Sequence, residues 1–217
     1  MRICEIFDSI DGEGLRTGLA ATFIRTAGCN LRCPYCDTKY SWDSSGAEEM
    51  SIDDILTRVN PVYKRVTLTG GEPLLQADAA ELIARLIKGG TEVNVETNGA
   101  ADIRPFLDIA DPQELLFFTI DYKLPSSGET AKMLPGNFRS LRKRDAVKFV
   151  VGDDNDIQYM REVMRKFSLP NVFLSAVFGQ MEPARLAELV SGDPLFKNAR
   201  VQLQIHKYIW DPDERGV

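Results

Sequence analysis

The chain has 217 residues, 44% apolar and 27% charged, with 26 Lys and Arg against 32 Asp and Glu for a net charge of −6. That balance excludes a broad basic surface for nonspecific nucleic-acid binding and describes one large domain or two small ones. No apolar run approaches the roughly 18 residues of a membrane span, and the short apolar run at the N-terminus is broken by Glu5, unlike a signal peptide.

In chain order, Ile3-Cys4-Glu5-Ile6-Phe7 is a short apolar run in which Cys4 reads as a buried core thiol. Residues 20–25 read as a strand, followed by a loop carrying Cys29, Cys33 and Cys36. Ser51 with Asp54 forms a capping box that opens a helix through about Val59. Residues 66–69 are a strand running into Gly70-Gly71-Glu72-Pro73. Residues 78–88 place Leu82, Ile83, Leu86 and Ile87 at helical spacing and stop at Gly89-Gly90. Residues 92–96 and 115–120 are strands, the first with Asn98-Gly99 just beyond its end. The second half repeats the rhythm: a strand over 146–151, a helix over 157–167 capped by Asp154 or Asp156, a strand over 172–176, a helix over 183–190 and a last strand over 201–204. Strands alternating with helices predict an α/β fold with a mostly parallel sheet covered by helices. About six such strands curl into an open, partial (β/α) barrel, and residues 1–217 form one domain. The loops at the C-terminal ends of the strands then face one site.

Three cysteines within eight residues can hold three irons of a [4Fe–4S] cube and leave the fourth iron open to a ligand. Electron carriers more commonly use four cysteines. A structural zinc site needs a closed set of four ligands. The other candidates, Cys4 and the sole histidine His206, lie far from the loop in sequence. A disulfide leaves one of the three thiols over, and Pro34 suits a turn. Clustered reduced cysteines fit a reducing cytoplasm. Glycines in Gly70-Gly71-Glu72-Pro73 either make a strand-to-helix turn or let backbone approach a ligand.

Cys29-x3-Cys33-x2-Cys36 resembles the signature of radical S-adenosylmethionine (SAM) enzymes, in which SAM chelates the open iron. Three further stretches narrow the resemblance: Glu5-Ile6-Phe7-Asp8-Ser9-Ile10-Asp11-Gly12-Glu13-Gly14, then Phe23-Ile24-Arg25-Thr26-Ala27-Gly28-Cys29-Asn30-Leu31, then Cys36-Asp37-Thr38. Together with residues 66–76, 95–99, 121–128, 148–151 and 204–208 they resemble the 7-carboxy-7-deazaguanine synthase family over essentially the whole chain.

That resemblance implies a radical SAM domain and a definite reaction. The substrate would be 6-carboxy-5,6,7,8-tetrahydropterin. A 5′-deoxyadenosyl radical would take a hydrogen from C6, the ring would contract and ammonia would leave. SAM would be regenerated, and Mg²⁺ would assist. The resemblance also implies an electron donor such as flavodoxin and a homodimer. By matching position, Cys29, Cys33 and Cys36 ligate the cluster and Thr38 ligates Mg²⁺, a hard cation suited to an oxygen ligand. Arg25 holds the substrate carboxylate, a task that suits its fork. Ile10, Asp11, Gly12, Thr69, Glu96 and His206 match substrate-contacting positions. Tyr35, Gly71, Asp121, Tyr122, Lys123 and Ser175 match SAM positions. Asp121-Tyr122-Lys123 stands where many relatives carry Ser-Pro-Lys, and Asp11 where many carry Gln.

Each assignment has a plainer reading beside it. Tyr35 could pack against the barrel rim, Arg25 could pair structurally, Asp11 could set a turn before Gly12, and His206 could be a surface or core histidine. A glycyl-radical activase shares the cysteine pattern and small size but has no need of the Gly12-Glu13-Gly14 segment, Arg25 or His206. A zinc-binding interaction module would lack the brown colour of a cluster.

Overall fold

Val66-Thr67-Leu68-Thr69 alternates apolar and polar residues, and the same period of two recurs in Asn94-Val95-Glu96 and Thr119-Ile120-Asp121. In a strand, alternate side chains point to opposite faces. One face of the sheet must therefore be greasy and the other polar. The computed structural model, which describes residues 1–212 and 214–217, has this form.

Nine strands form one open sheet: β1 (Arg2–Ile10), β2 (Ala20–Thr26), β3 (Glu48–Glu49), β4 (Arg65–Gly70), β5 (Glu92–Thr97), β6 (Leu116–Asp121), β7 (Ala146–Val151), β8 (Val172–Ala176) and β9 (Arg200–Val201). Their spatial order is β3-β1-β2-β4-β5-β6-β7-β8-β9. From β2 to β9 each neighbouring pair is parallel, while β1 runs antiparallel to both β2 and β3. The helices are α1 (Ile52–Thr57), α2 (Ala79–Lys88), α3 (Arg104–Leu107), α4 (Pro135–Arg139), α5 (Asp154–Lys166), α6 (Pro183–Gly192) and α7 (His206–Ile209).

The apolar face carries Val66, Leu68, Val93, Val95, Phe118, Ile120, Val147, Phe149 and Leu174, all fully buried. α2 covers it with Leu82, Ile83, Leu86 and Ile87, and α5 with Ile157, Met160 and Val163. Each such side chain stabilises the fold by roughly 1.5–3 kcal/mol on burial. The helix ends follow local chemistry: Ser51 Oγ accepts from Asp54 N to open α1, and Asp153 accepts from Asp156 N to open α5. The cap of α5 is thus Asp153, one residue before Asp154 and three before Asp156, the two acids expected. Asp156 instead turns its carboxylate back to Ser126 N and Gly152 N.

The sheet has more strands than the sequence suggests, for identifiable reasons. A bulge between Ile3 and Glu5 breaks the alternation of β1, so Ile3 and Ile6 reach the core three residues apart. Cys4 sits at that bulge and is half-buried rather than buried. β9 stops at Val201 because the next residue, Gln202, turns its amide inward to Glu13 and Ser175.

The β1–β2 connection folds into the sheet's concave side. Arg16 is 5% exposed and lies over the Phe117 ring. Its guanidinium donates to Asp11 Oδ2 (2.8 Å), Thr67 Oγ1 (2.6 Å), Val66 O (3.1 Å) and Glu92 Oε1 (3.2 Å). Val66, Glu92 and Phe117 lie in the first two residues of their strands, so this connection fills the N-terminal end of the half-barrel and leaves the C-terminal end to the loops.

Candidate active site

The cysteine loop leaves the C-terminal end of β2 and is pinned by backbone hydrogen bonds. Gly28 N donates to Ser41 O (2.8 Å), Cys29 N to Trp42 O (3.2 Å) and Glu72 N to Gly28 O (2.8 Å). Any Cβ on Gly71 would fall 2.4 Å from Gly28 O. Glycine at 71 is therefore required by close packing on the cysteine loop. Cys36 N closes a turn on Cys33 O (3.2 Å), and Arg32 N donates to Glu129 Oε1 (2.6 Å). From β5's end, Asn98 Nδ2 donates to Asn30 Oδ1 (2.8 Å) and towards Cys29 Sγ (3.6 Å).

All three loop cysteines are free thiols. Burial pushes the Cys33 thiol up to about 11 and raises Cys36 as well, so metal binding must displace protons there. Among the described residues no three His, Cys, Asp or Glu side chains converge on a single ion. A cube takes one thiolate per corner iron. Tyr35 lies against the core, and its buried Oη has no hydrogen-bond partner among the described residues. Burial pushes that phenol up to about 12, so it stays a donor. The donor set and this unpartnered hydroxyl fit a cluster with an organic ligand beside it.

Glu72 is fully buried at the end of β4, where it accepts from Leu74 N (3.1 Å), Asn98 N (2.7 Å) and Thr97 Oγ1 (2.9 Å). It ties the turn after β4 to the end of β5. Burial outweighs those bonds and pushes its carboxyl up to about 7.

A row of alternating charges crosses the inner face. Lys123 Nζ lies 2.5 Å from Asp121 Oδ2, Lys148 Nζ lies 3.3 Å from Asp121 Oδ1, and the same Lys148 lies 3.0 Å from Glu13 Oε2. Burial opposes both ammoniums, but the neighbouring acids outweigh it and hold Lys123 and Lys148 above their ordinary range. Burial likewise opposes the Asp121 charge, and the two lysines hold its carboxyl below the usual value. Glu13 also accepts from Ser175 Oγ (2.9 Å), Gln202 Nε2 (3.2 Å) and Gln204 Nε2 (3.3 Å). One carboxylate thereby joins β7, β8 and the C-terminal segment.

Arg25 Nε and Tyr40 Oη both donate to Glu5 Oε1 at 2.7 Å. Thr69 Oγ1 donates to Glu96 Oε2 at 3.1 Å. Burial raises the Glu96 carboxyl, with Lys148 opposing. Ile10 ends β1 opposite Ala20 and leads into Gly12. A Cβ at Gly12 would meet His206 Nδ1 at 2.2 Å, and Ile205 N donates to Gly12 O (3.3 Å). Burial lowers the His206 pKa, with Glu13 opposing. Thr38 Oγ1 donates to Asp37 Oδ1 (2.9 Å), and Lys207 Nζ pairs with Asp37 Oδ2 (3.0 Å). Burial opposes the Asp37 charge, but Lys207 outweighs it and holds the carboxyl well below its usual range.

At three of the expected positions the side chain is engaged within the chain itself. Tyr122 follows the strand alternation to the opposite face from Asp121 and packs on Phe138 and Phe149 (ring centroids 4.7 and 5.7 Å), so its side chain does not line the site. Ser175 is 0% exposed with its hydroxyl given to Glu13, not presented to a ribose. Asp11 is 1% exposed, with Oδ2 on Arg16 and Oδ1 accepting from Thr67 (2.6 Å), so its carboxylate braces the β1–β2 connection rather than accepting from a ligand.

Residues not singled out from sequence are Glu13, Lys148, Glu5, Tyr40, Asp37 and Lys207. Two had a local signal: Glu13 is an acid between two glycines, and Lys148 is a cation inside the apolar strand Ala146–Val151. The others had none, because their partners are distant in the chain.

The sequence model of the radical SAM superfamily matches residues 23–121. The chain is 39% identical to the 7-carboxy-7-deazaguanine synthase of Clostridium acetobutylicum, over 100% of this chain and 99% of that one. It is 42% identical to the protein of the same name from Methanospirillum hungatei, over 98% and 86%. Its fold is similar to the crystal structure of QueE from Escherichia coli, with a TM-score of 0.71, 24% identity and coverage of 93% and 92%.

Proposed function

Because the chain belongs to the 7-carboxy-7-deazaguanine synthase family of radical SAM enzymes, we propose that it converts 6-carboxy-5,6,7,8-tetrahydropterin to 7-carboxy-7-deazaguanine with loss of ammonia. The observation that carries this reading is one convergence. The free cysteine loop, Arg25, the Thr69–Glu96 pair and the Gly12–His206 contact come together on the polar side of one sheet. When bound, a [4Fe–4S] cluster and SAM supply the one-electron chemistry that removes a hydrogen atom from C6 of the pterin.

The chain's own residues then have distinct tasks. Cys29, Cys33 and Cys36 hold the cluster, one thiolate per iron. Tyr35, in the cysteine loop with an unpartnered hydroxyl, would lie beside SAM, Gly71 would let the turn after β4 pack close to that loop, and Lys123, paired with Asp121, would supply a cation for the SAM carboxylate. Arg25 holds the pterin carboxylate. Ile10, Gly12, Thr69 and His206 orient the ring. Glu96, raised by burial, holds a proton on its carboxyl more readily than an exposed acid and can pass it to departing nitrogen. Thr38 Oγ1 offers Mg²⁺ a hard oxygen ligand, with the Asp37 charge beside it.

The same reading makes residues 1–217 a single domain, supported by the continuous sheet and shared core. It makes the protein a cytoplasmic homodimer fed by a flavodoxin-like electron donor. Four unpaired cysteines fit a reducing compartment, and no described helix is long and apolar enough to cross a membrane.

The test is an anaerobic assay of the reconstituted protein with SAM, dithionite and carboxytetrahydropterin, with the product read by mass. Formation of 7-carboxy-7-deazaguanine is expected. Cleavage of SAM with no mass change in the pterin would refute the substrate assignment.

A further inference from the structure

Arg25 and Glu5 face each other across the antiparallel β1–β2 pair. Arg25 Nε donates to Glu5 Oε1 at 2.7 Å, and no other hydrogen bond of the Arg25 guanidinium occurs among the described residues. Its two terminal nitrogens are left as a free planar fork. The guanidinium carbon lies 5.9 Å from the Phe7 ring centroid, and Phe7 is stacked on Phe23 at 5.0 Å. Rotation of the arginine is thus limited from one side by a rigid aromatic pair.

Tyr40 supplies the second restraint. Its hydroxyl donates to the same Glu5 oxygen at 2.7 Å. It sits in the short 3-10 turn Lys39–Ser41, directly after Cys36-Asp37-Thr38. The Arg215 guanidinium lies over its ring at 3.7 Å. The charged edge of Arg25 is therefore tied through Glu5 and Tyr40 to the loop that carries Cys36 and Thr38.

We infer that Glu5 and Tyr40 are positioning residues that clamp Arg25 by its Nε and aim its free fork at the carboxylate of the substrate. The inference rests on Arg25 holding that carboxylate. A guanidinium recognises a carboxylate through two parallel N–H bonds, and a clamp on the third nitrogen fixes the plane in which they point. Selectivity for a carboxylated over an uncarboxylated pterin then depends on residues that need not touch the substrate.

The test is equilibrium binding of the fluorescent pair 6-carboxypterin and pterin to the cluster-reconstituted, SAM-loaded protein. Wild type, Tyr40→Phe, Glu5→Gln and Arg25→Gln are compared. Tyr40→Phe and Glu5→Gln are expected to weaken 6-carboxypterin by about fivefold to tenfold, the range for losing or weakening one charge-assisted bond, and to leave pterin within about twofold. In turnover, KM for the carboxylated substrate rises more than kcat falls. Equal weakening of both ligands in Tyr40→Phe, or an undiminished preference for 6-carboxypterin, overturns the inference. Tyr40→Phe keeps the ring under Arg215 and carries the test if Glu5→Gln folds poorly. Arg25→Gln separates the two failures: if it keeps the preference, Arg25 does not hold the carboxylate. If it loses the preference while both clamp variants keep it, only the clamp is wrong.

Discussion

Replacing Glu13 by alanine removes the acceptor shared by Lys148, Ser175, Gln202 and Gln204. The carboxylate is nearly buried, so its partners lose a bond that water cannot fully replace. Breaking a buried ion pair from one side typically costs about 3–5 kcal/mol. Lys148 retains Asp121 at 3.3 Å, which moves the expected loss to the lower end, about 3 kcal/mol. For a chain of this size that is a fall in Tm of about 6–12 °C. Glu13→Gln keeps the shape and one carbonyl acceptor, so about half that loss is expected. The assay is thermal unfolding of the cluster-free protein by circular dichroism. A second readout is the rate of tryptic cleavage after Lys207, whose segment is held by Gln202, Gln204 and Ile205 N on Gly12 O. Faster cleavage is expected in Glu13→Ala. A Tm within about 2 °C of wild type, with unchanged proteolysis, would refute the idea that Glu13 ties the C-terminal segment to the sheet.

Four further outcomes follow from the same geometry. Cys33→Ala should lose the iron–sulfur absorbance and SAM cleavage, while Cys4→Ala, at a half-buried bulge of β1, should keep both; retained cleavage in Cys33→Ala removes the cluster assignment. Gly12→Ala drives a Cβ into His206 Nδ1, so the lone imidazole should leave its site and its NMR-titrated pKa should rise back towards 6.5; an unmoved titration contradicts the contact. Glu72, raised by burial from 4.5 to about 7, holds its proton more tightly folded than unfolded, so its contribution is full below pH 4.5 and is lost as pH rises to 7. The loss is about 3 kcal/mol, and urea titrations of the cluster-free protein should show a flatter slope over that window in Glu72→Gln. Asp11→Ala should lower stability by about 3 kcal/mol by stranding Arg16, with cluster content unchanged; a raised KM at unchanged Tm would restore Asp11 to the substrate.

The elements were legible because local patterns carry them. Leu82, Ile83, Leu86 and Ile87 announce α2, and Ser51 with Asp54 announces the start of α1. The ligand loop was legible because three cysteines at short spacing are a local feature. β1 is not legible as a strand, because the bulge at Cys4 destroys the period of two that marks a strand in sequence. Tyr122 illustrates the opposite limit: a matching motif position names a residue, but only the pleat decides which face its side chain occupies.

The sequence by itself determined the alternation of strands and helices, the cysteine loop and the glycine turn after β4, since each rests on residues within a few positions of one another. The tertiary structure decided the partners. Glu13 meets Lys148 and Gln204, Asp37 meets Lys207, Arg16 meets Thr67, and Tyr40 meets Glu5. These contacts join residues from 35 to 191 positions apart. Their existence depends on strand order, pleat and the path of residues 202–207. The physical reason is the range of the forces: propensity and capping act between chain neighbours, whereas a buried charge takes whichever opposite charge the completed fold brings within about 3–4 Å.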